Sequence, residues 1–120
     1  MIRLGILGSG SGSNMQAILD AIAAGGLDAE IALVLSDIPE AYILERAARA
    51  GLPTGLINCR DFRSAFPEEA QHETAEALRQ SGVELVCLAG FMRLLRAPLL
   101  QAFAGRIINI HPSLLPSFPG

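Results

Sequence analysis

The chain has 120 residues, room for one compact domain, and its hydrophobic fraction of 51% supplies an ample core. Aromatic residues make up only 5% and tryptophan is absent, so the core is expected to be aliphatic, as in a parallel sheet flanked by helices. A formal charge of −3 with no basic stripe argues against a general nucleic-acid binder.

Strands and helices alternate along the chain, and no linker interrupts them. Ile2 to Leu7 reads as a strand, followed by a glycine-rich turn and a helix from about Asn14 to Ala24 with Met15, Ile18, Leu19 and Ile22 on one face. Gly25 and Gly26 end that helix. Ile31 to Ser36 is a continuous apolar run, as expected of a strand covered on both faces. Pro39 is expected to open an alanine-rich helix that runs to about Ala50 and stops at Gly51. Thr54 to Asn58 reads as the third strand, Pro67 to Gln80 as a helix closed near Gly82, and Val83 to Leu88 as the fourth strand. Pro98 starts a short helix, and Arg106 to Ile110 is the fifth strand.

Repeated strand–helix–strand units imply right-handed crossovers and one doubly wound parallel sheet over residues 1–120. The expected strand order is 3-2-1-4-5. Its switch point lies between strands one and four, and ligands bind there beyond the carboxyl ends of the strands. The loops after strands one, four and five meet at that edge. Cys59 and Cys87 are far apart and form no Cys-x-x-Cys pair, so neither a zinc site nor a disulfide framework is signalled. With no membrane-length apolar stretch and no signal segment ahead of the first strand, a reducing cytoplasm is the expected compartment.

Each of the three loops carries chemistry. The first, Gly8-Ser9-Gly10-Ser11-Gly12-Ser13-Asn14, can bring backbone N–H groups close to an anion at a helix N-terminus. Ser13 stands where a dinucleotide fingerprint has its third glycine, and the lysine of a Walker A loop is absent, which favours a single phosphate. The same residues also fit a flexible turn capped by Ser13. In the second loop, Ala89 to Leu95, apolar side chains and exposed backbone could clasp a flat heterocycle, or could simply fill the core. In the third, alternation along the strand sends Asn109 and His111 to one side and Ile108 and Ile110 to the other, and Pro112 fixes the backbone of His111. A donor amide beside an imidazole suits acyl transfer, although a bare Asn-x-His also fits a strand cap.

The string Asn109 to Pro116, Asn-Ile-His-Pro-Ser-Leu-Leu-Pro, resembles the signature of the formyltetrahydrofolate-dependent formyltransferases. The following Ser-Phe-Pro-Gly, the glycine-rich loop and Leu88-Ala89-Gly90-Phe91-Met92-Arg93 resemble the glycinamide ribonucleotide branch of that family, and the likeness covers the whole chain. It implies direct formyl transfer from 10-formyltetrahydrofolate to the amine of phosphoribosylglycinamide in de novo purine synthesis, without a metal. By the same resemblance Gly12, Ser13 and Asn14 hold the substrate phosphate, and Met92, Arg93, Leu94, Leu95 and Asn109 hold the folate. Asn109 and His111 are then the catalytic pair. Arg63 is a candidate for the folate tail, whose carboxylates favour a guanidinium, but the spacing there departs from the commoner family pattern. The partners are small molecules, with neither nucleic acid nor membrane, and a homodimer is compatible with the family.

The family also uses an aspartate further along to orient the histidine. No acidic residue here sits in a matching motif, so the chain is read as truncated on its C-terminal side and expected to be inactive alone. Other readings stay open: methionyl-tRNA formyltransferase, formyltetrahydrofolate hydrolase, a non-catalytic nucleotide-binding domain, or an oxidoreductase with Asp37 on a ribose hydroxyl. Ser13 weighs against the last.

Overall fold

A computed structural model describes residues 1–60 and 65–110. The elements follow in the order β1 (Ile2–Leu7), α1 (Ser13–Ala23), β2 (Ala29–Ser36), α2 (Tyr42–Arg49), β3 (Thr54–Leu56), α3 (Glu68–Gln80), β4 (Leu85–Ala89), α4 (Ala97–Ala102) and β5 (Ile107–Ile110). All strand pairs are parallel and the sheet order is β3-β2-β1-β4-β5, as the alternation of elements predicts.

The sheet is buried on both sides because its strands send apolar residues both ways. On one face Leu7, Leu35 and Val86 pack with Leu78 of α3, Leu99 of α4 and Phe103 at the end of α4. On the other, Leu4, Ile6, Val34 and Cys87 pack with Met15 of α1 and Ile43 of α2. The register of β1 against β2 shifts between Leu4 and Gly5, which slips one extra residue into β2. Ala32 and Leu33 consequently join the same core cluster, where strict alternation would separate them. Gly5 admits α3 to the sheet, since a Cβ there would stand 2.6 Å from Leu78 Cδ2.

Several ends differ from the sequence expectation. Pro39 does not open α2. Ile38 N–H donates to Ser36 Oγ at 3.1 Å and Ala41 N–H to the Ile38 carbonyl at 3.1 Å, so Pro39 occupies the second position of a turn and the helix begins at Tyr42. The third strand stops at Leu56, because Asn58 turns back to accept the Arg60 N–H at 3.0 Å. Val83 belongs to the closure of α3: its N–H reaches the Leu78 carbonyl at 3.1 Å while Gly82 takes φ 73°, so the fourth strand starts at Leu85. Buried Gln71 ties α3 to its surroundings, donating to the Phe66 carbonyl at 2.9 Å and accepting the Arg96 N–H at 2.8 Å. Among the described residues no helix is long and apolar enough to cross a membrane.

Candidate functional site

The loops after β1 and β4 are bolted together at the carboxyl edge of the sheet. Ser9 N–H donates to the Gly90 carbonyl at 3.2 Å, and its hydroxyl accepts the Met92 N–H at 3.0 Å while donating to Asp37 Oδ1 at 2.6 Å. The other oxygen of Asp37 accepts from Arg93 Nε at 2.6 Å, and Arg93 Nη1 donates to the Ala65 carbonyl at 2.5 Å. Gly8 is the residue that permits this contact, because a Cβ there would lie 2.8 Å from the Ala89 carbonyl oxygen. Sequence reasoning did not find this network. Its signal was a single arginine inside an otherwise apolar loop, facing a single aspartate at the end of β2. Engagement with Ser9 and Arg93 also leaves Asp37 closed to a ribose hydroxyl, which counts against the oxidoreductase reading.

The turn between β1 and α1 has the chemistry of an anion cradle. Its last three carbonyls are spoken for: Gly10 accepts from Ile43 N–H at 3.0 Å, Ser11 from Arg46 Nε at 2.7 Å and Gly12 from Gln16 N–H at 2.9 Å. The N–H groups of Gly10, Ser11, Gly12, Asn14 and Met15 have no acceptor among the described residues. Free amides at the head of an eleven-residue helix attract negative charge. Ser13 makes no capping hydrogen bond; Gly12 occupies the cap position with φ 79°, which disposes of the Ser13-cap alternative. Gly12 is needed for that left-handed backbone and for the Ile43 Cα that a Cβ would approach to 2.8 Å. Gly10, by contrast, faces open space. Asn14 is buried, and its carboxamide donates to the Ile110 carbonyl at 3.4 Å, so it is the main-chain N–H that remains for a ligand.

The loop after β4 divides its residues between core and surface. Phe91 and Leu95 pack against the core, with the Phe91 ring edge-on to Phe66 at 5.6 Å, and Arg93 is buried. Met92 and Leu94 point outward, 77% and 62% exposed. Inward and outward residues therefore alternate along this segment. Met92, Arg93, Leu94 and Leu95 line a pocket of about 400 Å³ together with Asn109, whose carboxamide makes no hydrogen bond with any described residue. Exposed apolar side chains around one exposed amide suit a flat ligand with polar edges. A larger depression of about 810 Å³ lies between α3 and α4, lined by His72, Glu76 and Gln101; neither the loop after β1 nor the loop after β4 lines it. His111 and Arg63 lie outside the described residues.

Titration separates the two cysteines from this chemistry. Burial pushes the Cys87 thiol up to about 11. Burial raises Cys59 as well, with Arg93 opposing and Asp37 adding to the shift. Neither is a nucleophile near neutral pH. A hydrogen bond from Arg60 holds the Glu73 carboxyl below its ordinary range.

The fold is a doubly wound α/β domain, and the loops after β1 and β4 meet at its switch point. The chain belongs to the formyl transferase family, which it matches over residues 2–120. It is 43% identical over 122 residues to phosphoribosylglycinamide formyltransferase of Bacillus subtilis, covering all of this chain and 60% of that protein. Trifunctional purine biosynthetic protein adenosine-3 of Drosophila pseudoobscura is 50% identical over 120 residues, 98% of this chain and 9% of the relative. The crystal structure of glycinamide ribonucleotide transformylase 1 from Symbiobacterium toebii superposes with a TM-score of 0.86 at 52% identity, over all of this chain and 56% of that one. The chain thus spans less than two thirds of the length of each of these relatives.

Proposed function

We propose that the protein transfers a formyl group from 10-formyltetrahydrofolate to the amine of phosphoribosylglycinamide, a step of de novo purine synthesis. The observation that carries this reading is the hydrogen bond from Asn14 to the Ile110 carbonyl, 3.4 Å long. It holds an anion-binding turn against the strand whose preceding residue, Asn109, lines an apolar pocket. A phosphorylated amine seated in the turn and a pteridine seated among Met92, Leu94 and Asn109 would meet at the end of β5.

The amine nitrogen attacks the formyl carbon, and the carbonyl oxygen becomes an oxyanion that accepts a hydrogen bond from the Asn109 amide. His111, two residues further along, shares that charge when protonated and carries the proton from the attacking amine toward the leaving nitrogen. Collapse releases tetrahydrofolate and the formylated amide. Arg63 is the candidate partner for the carboxylates of the folate tail. The chemistry calls for no metal. The compartment proposed is the cytoplasm, in keeping with two buried free thiols on opposite faces of one sheet.

The test is the acceptor. In the full-length product of the reading frame, tetrahydrofolate release is followed with phosphoribosylglycinamide, with methionyl-tRNA and with water alone. Release that depends on the phosphorylated amine supports the reading. Equal release without an acceptor would mark a hydrolase, and release only with tRNA would mark the other formyl carrier.

A further inference from the structure

We propose that Arg46 is a positioning residue for the anion-binding turn, a role that rests on the reading of that turn as the phosphate site. Its Nε donates to the Ser11 carbonyl at 2.7 Å, across 35 positions of chain. Its Nη1 reaches Gln16 Oε1 of α1 at 3.4 Å, and its guanidinium lies 4.9 Å from the centre of the Tyr42 ring. The side chain therefore bridges α2, the turn and α1.

The consequence follows from peptide geometry. A trans peptide is planar, with its C=O and N–H pointing in opposite directions, so whatever fixes the Ser11 carbonyl also aims the Gly12 N–H. Gly12 sits at φ 79°, in a backbone region open to glycine, and the Ser11–Gly12 peptide has little intrinsic resistance to flipping. A flipped peptide would present a carbonyl oxygen to the anion. The neighbouring carbonyls are held by backbone donors, Gly10 by Ile43 and Gly12 by Gln16. Ser11 alone depends on a side chain. Arg46 meets that need and also brings a positive charge to the edge of the cradle, without needing to touch the ligand.

The experiment uses Arg46→Met and Arg46→Lys, with Arg49→Met as a control that removes an equal charge one turn along the same helix. Arg49 pairs with Glu45 and Tyr42 and does not reach the turn. Calorimetry measures binding of inorganic phosphate, and steady-state kinetics measure KM for phosphoribosylglycinamide and for the formyl donor separately.

For Arg46→Met the expected result is at least about a tenfold loss of phosphate affinity and a matching rise in KM for the phosphorylated amine. The donor KM and kcat should stay within about twofold. Arg46→Lys should recover part of the loss, and Arg49→Met should resemble the parent. Phosphate affinity unchanged in Arg46→Met, or KM rising equally for both substrates, overturns the proposal while leaving the phosphate site intact. A parent protein that binds no phosphate overturns both.

Discussion

Asp37 and Arg93, 56 positions apart, meet in an ion pair of 2.6 Å with side chains only 3% and 6% exposed. Burying two charges is costly, and attraction offsets that cost only when the remaining polar atoms are also satisfied. Here they are: Ser9 serves the second carboxylate oxygen and the Ala65 carbonyl serves another guanidinium nitrogen. Together with Ser9 the pair ties the loops after β1, β2 and β4 to one another.

Removing one partner should therefore cost more than removing both. Asp37→Leu leaves a buried guanidinium without its carboxylate, with an expected loss of about 3–5 kcal/mol. The double replacement Asp37→Leu with Arg93→Met should lose clearly less than the two single replacements added together. Urea unfolding of the four proteins measures the cycle; strictly additive losses would show that the pair does not act as a unit.

The glycines of the first turn should separate folding from binding. Gly12→Ala forces a side chain into left-handed backbone against Ile43 and should lower the thermal midpoint. Gly10→Val adds bulk where nothing lies within 4 Å, so the fold should survive while the branched side chain crowds the cradle. The expected outcome is an unchanged midpoint and a raised KM for the phosphorylated amine. Equal loss of stability in both variants would contradict the assignment.

Cys87 predicts an alkaline limit. Its folded thiol titrates at about 11 against an ordinary value of 9.0, so the fold favours the protonated form. That contribution is complete below pH 9 and is lost as pH rises toward 11, because only the unfolded chain ionises readily. All nine cationic side chains are arginines, so no lysine titration obscures this window. Thermal midpoints should fall between pH 9 and 11, and Cys87→Ala should flatten that part of the curve. An identical slope in the variant would assign the decline elsewhere.

What the sequence made legible is the part of the fold governed by local pattern. Continuous apolar runs such as Ile31 to Ser36 mark strands buried on both faces, and the glycines at 25, 51 and 82 take the positive φ that closes each helix. Strand order and the meeting of the loops at one edge follow from alternation and crossover handedness. Features set by tertiary contact were harder to read. Pro39 fits a helix start or a turn equally well, and the Ser36 hydroxyl decides between them. The slipped register of β2 and the partnership of Ser9, Asp37 and Arg93 join residues distant in the chain, and periodicity carries no signal of either. Within the site, the loop after β4 could be read as apolar, but only packing assigns Phe91 inward and Met92 outward.

His111→Ala in the full-length product should lower turnover by about 10²-fold or more, with smaller effects on binding, since the imidazole acts as charge forms. The check is kcat at saturating concentrations of both substrates. Unchanged turnover would remove His111 from the mechanism.

The most direct test of the account is the turnover number of Asn109→Ala in formyl transfer to phosphoribosylglycinamide, with both KM values measured beside it. Asn109 contributes an amide at the mouth of the pocket and makes no hydrogen bond with the described residues, so its replacement should leave the fold intact. The account predicts a fall in kcat of roughly 10²–10³-fold, as for a lost oxyanion donor, with the KM for the phosphorylated amine little changed. A variant that turns over at the parent rate, or one whose only defect is a raised KM, would contradict it.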